Sequence, residues 1–435
     1  MPDSLLNESL TSVKKTFFLL AFFGLVPASQ PWAQIGADLR SRAEFRHGYG
    51  TLAAESSKPA FFISQRSRLT AEHQEKKFRV KLSLQDVRVW GDEEQLRDLA
   101  GTALHEAWGE FSFNDHLSLR TGRQELVYDD HRLLGNVDWV QQARSHDAAL
   151  LKFVKNGWNA HLGAAYNNQG ESFFKSDYTL NNYRALSWFW LNRTFKEKLK
   201  FSFTAVTDGY EASDTSGSLL YRYTFGPLLE LETGGFKLKG TLYYQCGENA
   251  SRKNISAYLA AFNLSYKVNN LTIGAGADYL SGTDALDTGN KKYNTFHTLY
   301  PTNHIFYGLM DYFLDIPAHT RSGGLTDIYG QARFKFSDKV ALAVDLHYFL
   351  LSNNVINPAE PTTPIDKGLG TEADAVLDYK LLPQVSIKSG FSVMMPTASM
   401  EVLKGGNKDE FQGWGWLMVT FKPAFFTPKT PEPSK

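Results

Sequence analysis

The stretch FRVKLSLQ, residues 78–85, alternates Phe78, Val80, Leu82 and Leu84 with Arg79, Lys81, Ser83 and Gln85. A period of two puts apolar side chains on one face of a β-strand and polar ones on the other. The pattern recurs at 199–205, where Leu199, Phe201, Phe203 and Ala205 alternate with Lys200, Ser202 and Thr204. It recurs again at 236–245, where Phe236, Leu238, Leu242 and Tyr244 oppose Lys237, Lys239, Thr241 and Gln245. Beyond residue 34 there is no second long apolar run and no sustained 3.6-residue period. The chain therefore reads as all-β.

The connections between these strands sort by length. Short turns are expected at 75–77, 114–116, 155–157, 195–198, 233–235, 268–270, 337–339 and 381–384. Longer polar stretches fall between them, near 48–60, 91–102, 128–138, 168–182, 208–218, 247–254, 281–324, 351–370 and 395–410. Eight short and nine long connections alternate, which predicts about eighteen antiparallel strands. Short turns at one end, long loops at the other and an even strand number mark a transmembrane β-barrel. A soluble sandwich has no reason to sort its loops this way.

Composition agrees. The aromatic share is 14%, which suits the interfacial girdles of a membrane barrel. Mean hydropathy is −0.33, too polar for a bundle of apolar helices. Lys+Arg and Asp+Glu both total 46, so no basic excess points to nucleic acid. Cys246 is the only cysteine and reads as a small strand filler, which excludes an intrachain disulfide and a cysteine metal cluster. Lys14 and Lys15 precede a short apolar run, 17–28, too short to span a bilayer and suited to a signal-peptide core. The expected organisation is a signal peptide over 1–33, a barrel over 34–422 and a Pro-rich tail over 423–435.

If the apolar faces point to lipid, the polar faces line a water-filled lumen. The first strand then contributes Arg40, Arg42, Glu44 and Arg46, and the second Arg66 and Arg68. The third offers Arg79 and Lys81, with Arg88 inside only if a bulge near Asp86 shifts the register. Arg120 is expected on the fifth strand, and Gln142, Arg144 and Lys152 on the sixth. Arg123 alternates with the lipid set, so it needs a bulge or a place beyond the membrane. Twelve of the 18 arginines lie between residues 34 and 152, with Glu44, Glu72, Glu106 and Glu110 as expected counter-ions. Two roles fit equally well: an electropositive stripe that guides an anion, or Arg–Glu pairs that brace a wide barrel. Asp129, Asp130 and His131 form a possible metal cluster but read better as a solvated loop. No P-loop, nucleophile elbow or HExxH motif is present, so neither a cofactor nor an enzyme activity is expected.

Several stretches carry a resemblance. QDVRVWGD (85–92), GRQELVYDDHRLLGNVDWVQQARSHDA (122–148), TFGPLLEL (224–231), AYLAAFNLSYKV (257–268), DYLSGTD (278–284), YPTNHIFYGLMDYF (300–313) and GLTDIYG (324–330) together resemble the alginate export family of outer-membrane proteins. The resemblance runs from about residue 36 to 421. It implies an eighteen-stranded barrel in a Gram-negative outer membrane, with an electropositive constriction that passes a polyuronate. Carried onto the matching motifs, the candidates are Arg88, Arg123, Arg132, Arg144 and Asp147, with Arg88, Arg123 and Arg144 expected to face the passage. Tyr300, His304, Asp311 and Tyr312 lie in the long seventh loop, which is expected to fold over the mouth, with packing as their stronger role. His146 departs from the Phe expected at that position. The Pro-rich tail after Leu417, Val419 and Phe421 departs from the usual aromatic C-terminal ending.

The reading is a passive, monomeric conduit for an anionic polysaccharide or oligosaccharide, surrounded by outer-membrane lipid and served by periplasmic export partners. The alternatives are a general or uptake porin for small hydrophilic or anionic solutes, a plugged structural barrel, and an outer-membrane enzyme.

Overall fold

The computed structural model describes residues 33–97, 101–174, 178, 182–212 and 218–426. The expected signal peptide, apart from Ala33, lies outside the described residues, as does the tail from residue 427.

Eighteen long antiparallel strands form one sheet. They are β1 (Ala33–His47), β2 (Ala60–Gln74), β3 (Phe78–Val89), β4 (Thr102–Ser112), β5 (Leu117–Gln124) and β6 (His146–Lys155). There follow β7 (Trp158–Tyr166), β8 (Ala185–Phe195), β9 (Leu199–Glu211), β10 (Leu219–Thr233), β11 (Phe236–Glu248) and β12 (Asn254–Val268). The last are β13 (Leu271–Leu280), β14 (Leu325–Lys335), β15 (Val340–Leu351), β16 (Gly368–Leu382), β17 (Val385–Pro396) and β18 (Gln412–Phe421). Each strand pairs with its neighbours in sequence. β1 also pairs with β18, from Leu39↔Phe421 to His47↔Gly413, so the sheet closes on itself. The expected tail starts inside this sheet: Ala424–Phe426 pairs with Ile35 and Gly36 at the foot of β1.

The short and long connections alternate as the sequence predicts, and the all-β barrel of eighteen strands is borne out. One boundary moves. The third long loop runs over 125–145 rather than 128–138, so Gln142 and Arg144 leave the sixth strand, which begins at His146. The backbone explains the change. Val137 and Ala143 have φ of 51° and 54°, and the Arg144 amide donates to the Asn136 carbonyl inside the loop. Such residues cannot extend a strand.

Burial is inverted relative to a soluble protein. On β1, Arg40, Arg42 and Glu44 are buried, whereas Leu39 and Phe45 are exposed. On β11, Thr241, Tyr243 and Gln245 are buried and Leu242 and Tyr244 exposed. An apolar outer face with a polar interior is what surrounding hydrocarbon requires. Glycine makes room where an inner aromatic ring lies against the wall. A Cβ on Gly163 would sit 2.1 Å from the ring of Trp188, its partner across the β7–β8 pair.

The two faces answer differently to charge. In lipid vesicles, Leu346→Arg on the outer face of β15 is expected to lower the unfolding free energy by about 2–4 kcal/mol. Ser265→Arg on the inner face of β12 is expected to change it by roughly 0.5 kcal/mol or less. Denaturant unfolding measures both, and equal losses would contradict the assignment of the faces.

Candidate functional site

The loop 125–145 does not extend into solvent. It forms a strap that crosses the lumen and is fastened to opposite walls. On one side Arg40 Nε donates to Gln141 Oε1 at 2.8 Å, and its Nη1 donates to the Asp138 carbonyl at 2.7 Å. Arg42 Nη1 donates to the Trp139 carbonyl at 2.6 Å. Arg66 bridges Asp38 at 2.6 Å and Asp138 at 2.7 Å. Burial opposes ionisation of Asp138, but Arg66 and Arg40 hold its carboxyl below the usual carboxylate range. On the other side Asp129 accepts from Trp190 Nε1 (3.0 Å), Ser202 Oγ (2.5 Å) and Thr204 Oγ1 (2.9 Å) on β8 and β9. Asp130 meets Lys239 of β11 at 2.8 Å, and Arg132 meets Asp278 of β13 at 2.7 Å. Asp129 and Asp130 are thus the strap's acceptors rather than members of a solvated loop, which corrects that expectation.

A second long loop, 281–324, locks onto the strap. Tyr300 N donates to the Leu133 carbonyl at 2.9 Å and Gly135 N to the Tyr300 carbonyl at 2.8 Å. Arg132 Nη1 donates to Tyr307 OH at 3.1 Å, and its guanidinium lies 4.0 Å from the Phe306 ring centre. His304 bonds Asp311 at 2.8 Å and stacks on Trp139 of the strap at 4.3 Å. Trp139 in turn covers the Arg42 guanidinium at 3.9 Å. Tyr300 bonds Asp208 and Tyr210, and burial followed by the nearby Asp208 charge pushes its hydroxyl far up. Asp311 accepts from Tyr49, and Tyr312 donates to the Gly48 carbonyl. The four residues singled out in this loop are therefore packed within the mouth.

The structure redistributes the expected lining. Arg40, Arg42 and Arg66 point inward, but they are 4%, 4% and 1% exposed because the strap covers them. They fasten the strap and do not front open water. Arg68 lies beside them, bonded to Gln85 at 2.7 Å and 3.7 Å from Glu125. Glu44 sits between Arg42 and Arg46, 2.8 Å from each. Towards the short-turn end, Arg79 meets Glu72 at 2.6 Å, and Arg120 and Lys152 share Glu110 at 2.7 Å each. Lys81 pairs with Glu106.

Two expected passage residues face outward. Arg88 is the partner of Gln65 across the β2–β3 pair, on the opposite face from the Arg68–Gln85 pair, and it bonds Asp86 at 2.7 Å. The register shift that could have turned it inward falls between β3 and β4 at Ser83/Leu84, and the extra residue is on β4. The face of β3 is therefore unchanged. Arg123 lies opposite Asp147, 3.1 Å away, on the reverse side from the buried Gln124–His146 pair. Both arginines sit near the long-loop rim of the outer surface.

Arg144 is the one of the three that borders an interior space. Its Nη1 donates to the Pro301 carbonyl at 2.9 Å, and among the described residues no carboxylate lies within ion-pair distance. Burial pushes its ionisation down. It lines a cavity of about 640 Å³ with His146, Tyr210, Arg222, His297 and Tyr300. His146 Nε2 is buried there without a hydrogen-bond partner among the described residues.

Two features escaped an arginine count. A row of inward acids, Asp278, Asp327, Glu372 and Asp374, occupies β13, β14 and β16, with His347 Nδ1 on Asp327 at 2.9 Å. Period-two reading of β13–β16 would have found it. Lysines also carry positive charge around the short-turn half, well beyond the first six strands. Lys200, Lys267 and Lys380 share the inner faces of Ser202, Ser265 and Asp378. Among the described residues no acid lies within ion-pair distance of them, although Glu230 stands opposite Lys200 and Asp338 is near enough to Lys380 to feel its charge. His105, Glu106 and Glu125 could hold a metal by spacing, but Lys81 and Asn136 already engage those carboxylates and His105 bonds Glu125 at 2.7 Å.

The fold matches solved outer-membrane porins. OccAB4 of Acinetobacter baumannii superposes with a TM-score of 0.62 at 15% identity, covering 92% of this chain and 100% of that one. OpdK of Pseudomonas aeruginosa, solved with vanillate, gives 0.58 at 11% identity, covering 90% and 99%. A BenF-like porin from Pseudomonas fluorescens Pf-5 gives 0.62 at 13% identity, also covering 90% and 99%. No curated protein sequence matches the chain. The alginate export family profile spans residues 31–314, and with the closed eighteen-stranded barrel this shows that the chain is an outer-membrane channel protein belonging to the alginate export family.

Proposed function

We propose that the protein is a passive, monomeric conduit for an anionic, uronate-bearing polysaccharide or oligosaccharide. The observation that carries this reading is the set of inward cations that have no acid within ion-pair distance among the described residues: Lys200, Lys267 and Lys380 towards the short turns, and Arg144 at the cavity beyond the strap. Several weak sites in series let a polyanion exchange its hydration for contacts and still leave. Arg79, Lys81, Arg120 and Lys152 belong to the same basic half, each moderated by a glutamate. The short turns face the periplasm in this reading, so export partners would deliver solute to the basic half. No nucleotide motif is present, and the driving force is a gradient or such a partner.

A second reading has its own support. The strap and the 281–324 loop both cross the interior, which favours small anions over a thick chain, and one structural neighbour was solved with the aromatic carboxylate vanillate. This is the uptake-porin reading. Block of single-channel current in planar bilayers separates the two. Oligouronates of increasing length are expected to block more strongly as length grows, because successive units occupy successive cationic sites. Block by small carboxylates alone, with no length dependence, would favour the porin.

The strap's fastening is testable directly. Arg66→Ala leaves Asp138 with only the 3.4 Å contact to Arg40 and Asp38 with only Lys422 at 3.7 Å, and the loss of two charge-assisted hydrogen bonds is expected to cost about 1–3 kcal/mol. Unfolding in detergent measures that loss. Asp129→Ala removes the opposite anchor and is expected to raise single-channel conductance. Unchanged conductance in both variants would mean that the strap does not form the constriction.

A further inference from the structure

A hollow lies in the wall opposite the buried arginines. Thr241, Ala261, Asp278 and Asp327 form one transverse row across β11 to β14, and Lys239, Asn263, Gly276 and Tyr329 form the next row towards the short turns. Adjacent strands lie about 4.8 Å apart, so these rows form one continuous patch. At its centre are the smallest residues, Ala261 and Gly276. A Cβ on Gly276 would stand 2.4 Å from the Tyr329 ring, so the glycine is what lets that ring lie along the wall. Phe306 and Tyr307 of the long loop and Arg132 of the strap roof the hollow, leaving about 210 Å³.

Two polar atoms of this pocket are buried and unused. Thr241 Oγ1 and Asp278 Oδ1 have no hydrogen-bond partner among the described residues, although their residues are only 5% and 1% exposed. Buried polar groups are costly to leave unpaired, which marks places for a ligand's donors or acceptors. The neighbouring chemistry narrows the class. An ionised Asp278 Oδ1 can only accept, the Thr241 hydroxyl does either, and the side-chain amides of Asn263 and Gln331 offer both. Lys239, bonded to Asp130, is a quarter exposed and has donors to spare. Phe306 and Tyr329 add apolar faces. The volume is below the roughly 300–1,000 Å³ of pockets for drug-sized ligands, so a single small ring fits and an oligomer does not.

We infer that this pocket is a subsite for one pyranose ring bearing a carboxylate, that is, one hexuronate unit. Its hydroxyls meet Asp278 and Thr241, and its carboxylate lies at the Lys239 end, away from Asp278 and Asp327, the two acids that line the hollow. The inference rests on the conduit reading and deepens it: one unit of the passing chain is held by specific contacts, while the lysines hold the rest by charge alone.

The test uses the full-length folded barrel in detergent, with sodium glucuronate, glucose and acetate as probes in saturation-transfer NMR. Glucuronate is expected to bind more tightly than glucose, and acetate not to compete. Thr241→Val removes one hydrogen bond and is expected to weaken glucuronate about five- to ten-fold. Ala261→Leu fills the hollow while leaving the charged groups of Arg132 and Asp278 in place, and is expected to abolish the signal. Absence of glucuronate binding to the unmodified barrel, equal competition by acetate, or an undiminished signal in Ala261→Leu would each overturn the inference. Block by oligouronates recorded on the same unmodified preparation distinguishes the two levels. Block without monosaccharide binding overturns the subsite and leaves the conduit standing, whereas absence of both removes the conduit reading as well.

Discussion

Hydrocarbon offers no partner for a backbone N–H or C=O, and this constraint organises the molecule. Strands can cross only if every ladder is complete, which here means pairing Leu39–His47 of the first strand with Gly413–Phe421 of the last. Closure fixes the direction of every side chain. Outward positions meet lipid and become Leu, Phe and Tyr, while inward positions meet water or one another and carry nearly all the charge. A cylinder of eighteen strands is too wide for side chains to fill. Backbone from the long loops fills part of it instead.

The buried arginines follow from that geometry. A loop laid across a polar lumen brings its own carbonyls and carboxylates away from water, and these need donors. Guanidinium groups satisfy several acceptors in one plane and remain charged, so Arg40, Arg42 and Arg66 can hold Asp138, Trp139, Val140 and Gln141 at once. Asp129 plays the reverse part on the far wall, where an acid of the strap collects donors from β8 and β9. The result is a basic wall under the strap and an acidic row opposite, joined through Arg132 and Asp278. In the proposed conduit such a field across the lumen orients a solute, and the lysines nearer the short turns set the sign of charge that it admits.

The fold was legible because its signal is local. Period two and the alternation of short and long connections can be counted along the chain, and they lead to eighteen strands independently of any resemblance. The site was legible only in part. Parity along β1 and β2 shows that Arg40, Arg42 and Arg66 point inward, but not that residues about a hundred positions later return to cover them. Arg144 was expected on a strand because nothing in its neighbourhood announces the left-handed backbone at Val137 and Ala143. Arg88 and Arg123 were expected inside on the strength of motifs, whereas plain alternation on β3 and β5 places them outside. There the simple periodicity was the better guide. The acidic row and the later lysines follow from the same periodicity on β9, β12, β13, β14 and β16, outside the arginine-rich first six strands.

The central claim is that the open interior favours anions although the chain as a whole is neutral. The reversal potential of single channels in a potassium chloride gradient measures this directly. An interior governed by Lys200, Lys267, Lys380 and Arg144 gives a potential displaced towards that of chloride and diminished by salt screening. A potential displaced towards that of potassium would mean that Asp278, Asp327, Glu372 and Asp374 govern permeation, and would contradict the claim.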